Sequence, residues 1–267
     1  MTQSFYNHAP VVALHSSASG PAQWRRLALD LAERHAVTAP KLTHDCAGQG
    51  LAVAADAVIA QLLRIGEPVH LVGHSFGGAV ALKIAVLRPD LIASLTLYEP
   101  SALFLADCTD EDEALGIESL RQIAASLAAN IEAGRADVGI RQFIAFWHNQ
   151  DCWDHLPASK QLRLAAAAPS VVDDFTAVFS ERMSLTELHS VQIPTLVMLG
   201  MDSPQLTQRI AARIANAMPR ARLAILPSLG HMAPLTDPEW VNPRICQHIA
   251  EASRNSLRVC WPKAAAA

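Results

Sequence analysis

Short strand-like runs alternate with helical stretches along this chain, and that alternation restricts the fold more than any other feature. Val11-Val12-Ala13-Leu14, His35 to Pro40, Val69 to Val72, Leu95 to Tyr98, Thr195 to Leu199 and Leu223 to Leu226 have the length and apolar content of strands. Trp24, Leu27, Ala28, Leu31 and Ala32 recur at helical spacing. Residues 51–65 place Val58, Leu62 and Ile65 on one stripe ahead of Gly66, and the Ala- and Leu-rich residues 76–87 run up to Pro89. Leu206, Ile210 and Ile214 mark a helix between the last two strands, and Asp237-Pro238 reads as an N-cap followed by proline at the first helical position. Repeated strand–helix units predict an α/β fold: a mostly parallel sheet flanked by helices on both faces.

The alternation breaks once. Residues 101–190 carry helical patterns and no convincing strand: Leu120, Ile123, Leu127 and Ile131 share a face, Phe143 and Trp147 lie four apart, and another helical stretch follows Pro157. The expected organisation is a core of residues 1–100 and 191–267 with an inserted helical cap over 101–190. At 267 residues and 51% hydrophobic content, one unit can bury a large core. A net charge of −4 without blocks of like charge argues against nucleic acid or an anionic membrane surface as partner. No apolar run reaches the roughly 18 residues of a membrane span. MTQSFYNHAP lacks the basic-then-apolar pattern of a signal peptide. The five cysteines, Cys46, Cys108, Cys152, Cys246 and Cys260, form no CxxC pair, so free thiols in a cytoplasmic protein are expected. No HExxH, Walker A or GxGxxG pattern signals a metal or organic cofactor, so neither is expected.

The chemistry-bearing segment is Gly73-His74-Ser75-Phe76-Gly77-Gly78, between the strand Val69–Val72 and the helix that follows. It fits G-x-S-x-G in a strand–turn–helix setting, which lifts a serine out of the sheet edge on a sharp turn. Gly73 and Gly77 give that turn room, and Gly78 lets the helix pack close to the sheet. The helix N-terminus points its partial positive charge at the same place. Ser75 is therefore the candidate nucleophile. His231, in Leu226-Pro227-Ser228-Leu229-Gly230-His231-Met232, follows the last strand and so reaches the same sheet edge. An imidazole there can accept the serine proton and return it to a leaving group.

With these two residues placed, the chain resembles the α/β-hydrolase superfamily over about residues 9–250. The likeness rests on LHSSASG (14–20), GHSFGG (73–78), LYEP (97–100) and LPSLGHMA (226–233). The first and third patches are similar to a bacterial subgroup of cap-bearing hydrolases. The resemblance implies hydrolysis of esters or related acyl compounds through an acyl-enzyme, without implying one substrate; the aromatic and aliphatic residues of the cap segment point to a small to medium, fairly apolar acyl or lactone compound. The resemblance also implies an oxyanion hole made by the backbone N–H of Phe76 and a second N–H from the loop after the first strand, assigned by position to Ser17. Where the superfamily commonly has His-Gly, this chain has His15-Ser16. For the triad acid two positions stand open. Asp202, in Gly200-Met201-Asp202-Ser203-Pro204, is one residue earlier than the superfamily's Gly-x-x-Asp. Glu99 ends the strand after the nucleophile helix, where some haloalkane dehalogenases of this fold carry their acid. Halide displacement itself is disfavoured, because it needs a carboxylate at position 75. His15, Ser16, Trp147, His148, Trp153 and Met232 are candidates for lining the substrate pocket, with Phe146 beside them. C–C bond hydrolysis, lyase chemistry or perhydrolysis on the same triad, and a non-catalytic ligand-binding role, remain alternatives on a shared fold.

Overall fold

A computed structural model describes residues 8–42 and 50–259; Cys46 and Cys260 lie outside them. The core elements run β1 (Val11–Leu14), α1 (Arg25–Leu31), β2 (Val37–Thr38), α2 (Gly50–Ile65), β3 (Val69–His74), α3 (Phe76–Leu87) and β4 (Ile92–Tyr98). Then come the helices α4 (Glu111–Glu132), α5 (Ala136–His148), α6 (Ala158–Ser180) and α7 (Leu185–His189). The chain returns to the sheet with β5 (Thr195–Gly200), α8 (Gln205–Ala217), β6 (Ala221–Leu226), α9 (Ala233–Thr236) and α10 (Pro238–Val259).

The six strands form one sheet in the order β2-β1-β3-β4-β5-β6, every neighbouring pair parallel. β3 and β5 are buried along their whole length, which is why both read as apolar runs rather than alternating ones. β6, at the edge, exposes Leu223 and Ile225. Connections run from β1 outward to β2, then cross back to β3 on the other side of β1. This reversal opens a crevice at the carboxyl ends of β1 and β3, the place where open α/β sheets hold their ligands.

Two apolar clusters cover the two faces. One joins Trp24, Leu27 and Leu31 to Val241, Ile245 and Ile249 of α10. The other joins α2, α3 and α8 to Leu120, Leu127, Ile140, Phe143 and Phe175 of the helical segment. The helices between β4 and β5 thus share a core with the sheet rather than owning a separate one. Sequence periodicity located the long helices. It gave no sign of the short α7 and α9, nor of the 3-10 turn Pro21–Trp24 that precedes α1, because each is a single turn whose identity depends on capping and tertiary contacts. No helix among the described residues is long and apolar enough to cross a membrane.

Candidate active site

Ser75 sits between β3 and α3 at φ 53°, ψ −120°, a region that side chains with a Cβ seldom occupy and that over-determined turns sustain. Gly77 is what permits it: a Cβ there would lie 2.5 Å from the carbonyl oxygens of Leu14 and His15. A Cβ on Gly73 would likewise lie 2.5 Å from the Gly77 carbonyl. The elbow and the loop after β1 are therefore in backbone contact.

The Ser75 hydroxyl lies 3.0 Å from Nε2 of His231, and Nδ1 of His231 lies 2.7 Å from Oε2 of Glu99. A carboxylate only accepts, so the imidazole proton belongs on Nδ1 and donates to Glu99, leaving Nε2 to accept from Ser75. Glu99 is fully buried, at 0% exposure, and a buried carboxylate needs every lone pair occupied. Its second oxygen accepts from the Gly200 N–H at 2.7 Å and from the Ser203 hydroxyl at 2.5 Å. Glu99 itself adopts a positive φ of 39°, which turns the chain at the end of β4. The position where the superfamily pattern has aspartate is filled by Ser203, and its hydroxyl binds the carboxylate that arrives from the neighbouring strand. Asp202 is exposed. Its backbone N–H donates to Leu229 at 2.9 Å and its carbonyl accepts from the Asn149 amide, while Nδ1 of His231 is bonded to Glu99 instead.

Two buried groups hold the backbone of the histidine loop. The Tyr98 hydroxyl donates to the Gly230 carbonyl at 2.8 Å, and burial followed by the Glu99 charge raises its pKa, so it stays a donor. The His74 Nε2–H donates to the His231 carbonyl at 2.8 Å. Burial, then the nearby His231, keeps His74 well below the usual imidazole range and hence neutral. Its Nδ1 then accepts from the Gln23 amide at 3.0 Å, and Oε1 of Gln23 accepts from the Ser16 N–H at 3.0 Å. One chain of hydrogen bonds thus runs from the loop after β1 through the elbow to the histidine loop. His15 is spent on the same loop: its Nδ1 lies 2.9 Å from the Ser16 carbonyl, and its Nε2 accepts from the Leu42 N–H at 3.1 Å.

Trp147, on α5, stacks on the His231 ring with centroids 4.1 Å apart and 28° between planes. A residue that sequence reasoning missed is Ser101, whose hydroxyl lies 3.0 Å from Oγ of Ser75 and whose N–H donates to the Ser75 carbonyl at 3.0 Å. The single Ser75 proton is directed at His231, so Ser101 is the donor in that pair. Nothing marks Ser101 in the sequence beyond its place after Leu97-Tyr98-Glu99-Pro100, and His74 was visible only as the variable residue of the elbow.

A small recess of about 20 Å³ is lined by Ser17, Ser75, Phe76, Ser101 and the apolar side chains Leu103, Phe143 and Val178. It adjoins a cavity of about 810 Å³ that reaches His15, Ser16, Trp147, His148, His231 and Met232. Ser17 and Phe76, the candidate oxyanion-hole residues, line both spaces. Trp153 is buried in the core beneath the helices and lines neither space, and Phe146 meets the site only through Trp147, at 4.8 Å between ring centroids. Aromatic spacing alone could not separate core rings from pocket rings.

A doubly wound parallel sheet with a serine on a positive-φ elbow, a histidine after the last strand and a buried acid behind it defines the α/β class of nucleophile-elbow proteins. The chain belongs to the alpha/beta hydrolase family, whose model matches residues 11–244. It is 35% identical over 98 residues to lipase LipV of Mycobacterium tuberculosis, covering 35% of this chain and 38% of that protein. It is 24% identical over 188 residues to carboxylesterase YbfK of Bacillus subtilis, covering 67% of this chain and 56% of that protein. The chain thus spans less than two thirds of either relative. Among solved structures, a thermophilic esterase from Thermogutta terrifontis superimposes with a TM-score of 0.72 at 20% identity, over 93% of this chain and 92% of that one, a likeness of fold.

Proposed function

We propose that the protein is a serine hydrolase that cleaves an ester, lactone or related acyl substrate through a covalent acyl-enzyme on Ser75. The observation that carries this reading is the continuous relay of hydrogen bonds from Ser75 through His231 to Glu99, at 3.0 and 2.7 Å. Relatives named as a lipase and a carboxylesterase support the ester class.

In this reading Ser75 Oγ attacks the acyl carbonyl as Nε2 of His231 takes its proton, and the resulting imidazolium is stabilised by Glu99. Negative charge collects on the carbonyl oxygen, which the backbone N–H groups of Phe76 and Ser17 stabilise; loss of one such donor costs roughly 3–4 kcal/mol in well-studied cases. His231 then gives its proton to the departing alcohol. A water molecule, deprotonated by the same imidazole, attacks the acyl-enzyme and releases the acid, returning the proton to Ser75. The apolar recess beside Ser75 suits a hydrocarbon acyl or alkoxy end, and Glu99, rather than Asp202, serves as the acid. Trp147, His148 and Met232 contribute wall to the substrate space, and the helices of residues 101–190 act as its cap.

Hydrolysis of p-nitrophenyl esters of increasing acyl length tests the reading. The wild-type protein should release nitrophenol with a burst, and Ser75→Ala should abolish it. Absence of wild-type turnover across the series contradicts the proposal.

A further inference from the structure

The charged side chains on the wall of the large cavity are at odds with the charge of the whole chain. The protein carries a net charge of −4, yet three of the four Lys, Arg, Asp and Glu side chains that line the cavity are cations: Lys41, Lys160 and Arg163. All three cations are exposed. The ion pairs of the described surface, such as Arg141 with Asp151 or Arg209 with Asp110, do not engage them. The fourth, Asp174, is buried and also borders the recess beside Ser75.

Lys160, Arg163 and Asp174 share α6, so the helix itself orders the charges along the cavity. Arg163 lies eleven residues before Asp174, about 16 Å of helix contour at 1.5 Å per residue. Leu164, buried next to Arg163, lines the cavity between them, and Val171, buried one turn before Asp174, lines the recess beside Ser75. One end of this wall is therefore cationic and open, while the other is apolar, carries a carboxyl group and meets the nucleophile. The charge of Lys160 is felt inward as far as His148, whose imidazole is held below its ordinary range first by burial, then by Lys160 and His231. A low-dielectric cleft lined by one sign of charge concentrates ligands of the opposite sign, and guanidinium and ammonium groups together suit an anionic oxygen group.

Building on the hydrolase reading, we propose that the natural substrate is an ester or lactone bearing an anionic group, such as a carboxylate, at the end remote from the scissile bond, held by Lys160 and Arg163 with Lys41 across the cavity mouth. The apolar part of the molecule lies along α6, and the Asp174 carboxyl disfavours the reversed orientation, with the anion inside.

Competitive kinetics on a matched pair test this: the monomethyl ester of a long dicarboxylic acid, anionic at neutral pH, against the dimethyl ester of the same acid. The ratio of kcat/KM, monoester over diester, should exceed one for the wild-type protein at low salt. It should fall by about tenfold in Lys160→Gln/Arg163→Gln, and fall likewise for the wild type at high salt. A second double variant, Lys160→Arg/Arg163→Lys, keeps the charge and should keep most of the ratio, which separates charge from damage to α6. Hydrolysis of both esters with a ratio that neither variant nor salt alters overturns this inference and leaves the hydrolase reading standing. Failure to hydrolyse either ester, together with no turnover of p-nitrophenyl esters, removes both.

Discussion

Glu99 and His231 are 132 positions apart in sequence, and their side chains meet at 2.7 Å with both excluded from solvent. The Glu99 carboxylate reaches the imidazole from the end of β4, the strand beside β3. From there the extra methylene of glutamate spans the gap, and Gly200 and Ser203 complete the carboxylate's bonding. Because Glu99 fixes the Nδ1 proton, its loss should leave the imidazole free to adopt the wrong tautomer. Glu99→Gln should lower kcat/KM for a p-nitrophenyl ester by about 10³–10⁴-fold, whereas Asp202→Asn should change it by less than about twofold. Equal losses in the two variants would reassign the acid.

The stack of Trp147 on His231 makes the helical segment part of the support for that imidazole. Ring pairs of this kind contribute about 0.5–1.5 kcal/mol beyond burial. Trp147→Leu should therefore lower kcat roughly three- to tenfold, and Trp147→Phe should recover part of the loss. A change confined to KM would make Trp147 a substrate contact only.

Ser101 gives its hydroxyl proton to the Ser75 oxygen, which keeps the Ser75 proton pointed at His231. Ser101→Ala removes a neutral hydrogen bond with a net value near 1 kcal/mol, so kcat/KM should drop about fivefold. Ser101→Thr, which retains the hydroxyl, should lose less. Identical rates in wild type and Ser101→Ala would show that the contact does not orient the nucleophile.

His70 predicts how stability depends on pH. It is buried in β3 beside Ser94 and Ser253, and burial, reinforced by His35 and His248, depresses its pKa from 6.5 to about 3. The unfolded chain therefore binds a proton at this residue that the folded chain refuses between those values. The resulting stability is complete above pH 6.5 and declines as pH falls towards 3. By pH 5 the loss should be on the order of 2 kcal/mol. Urea unfolding of wild type and His70→Asn at pH 7 and pH 5 measures it. The variant should show the smaller acid loss, with a residual slope from His35, His74 and His248, all shifted the same way. Equal pH slopes would contradict the assignment.

What could be read before the structure follows from what each feature depends on. The strands and long helices were legible because burial imprints periodicity, and Ser75 because its backbone conformation demands small neighbours at Gly73 and Gly77. His231 was legible from its place after the last strand. Glu99 and Asp202 could not be ranked, since both end up at strand termini and only the lateral order of β4 and β5 decides which carboxylate faces the imidazole. Ser101 and Gln23 left no trace in the pattern, and His74 showed only as the variable residue of the elbow: each acts through a few directed hydrogen bonds, and a single polar residue in a loop has no periodicity to betray it. Trp153 illustrates the reverse, an aromatic whose spacing suited a pocket and whose place is in the core.

Reaction of the intact protein with an alkyl fluorophosphonate, followed by peptide mapping, tests most directly whether Ser75 is an activated nucleophile. One adduct per chain should form, on Ser75, absent in Ser75→Ala and formed orders of magnitude more slowly in His231→Ala. No adduct on the wild-type protein, or an adduct on Ser101 with Ser75 unmodified, would contradict that role.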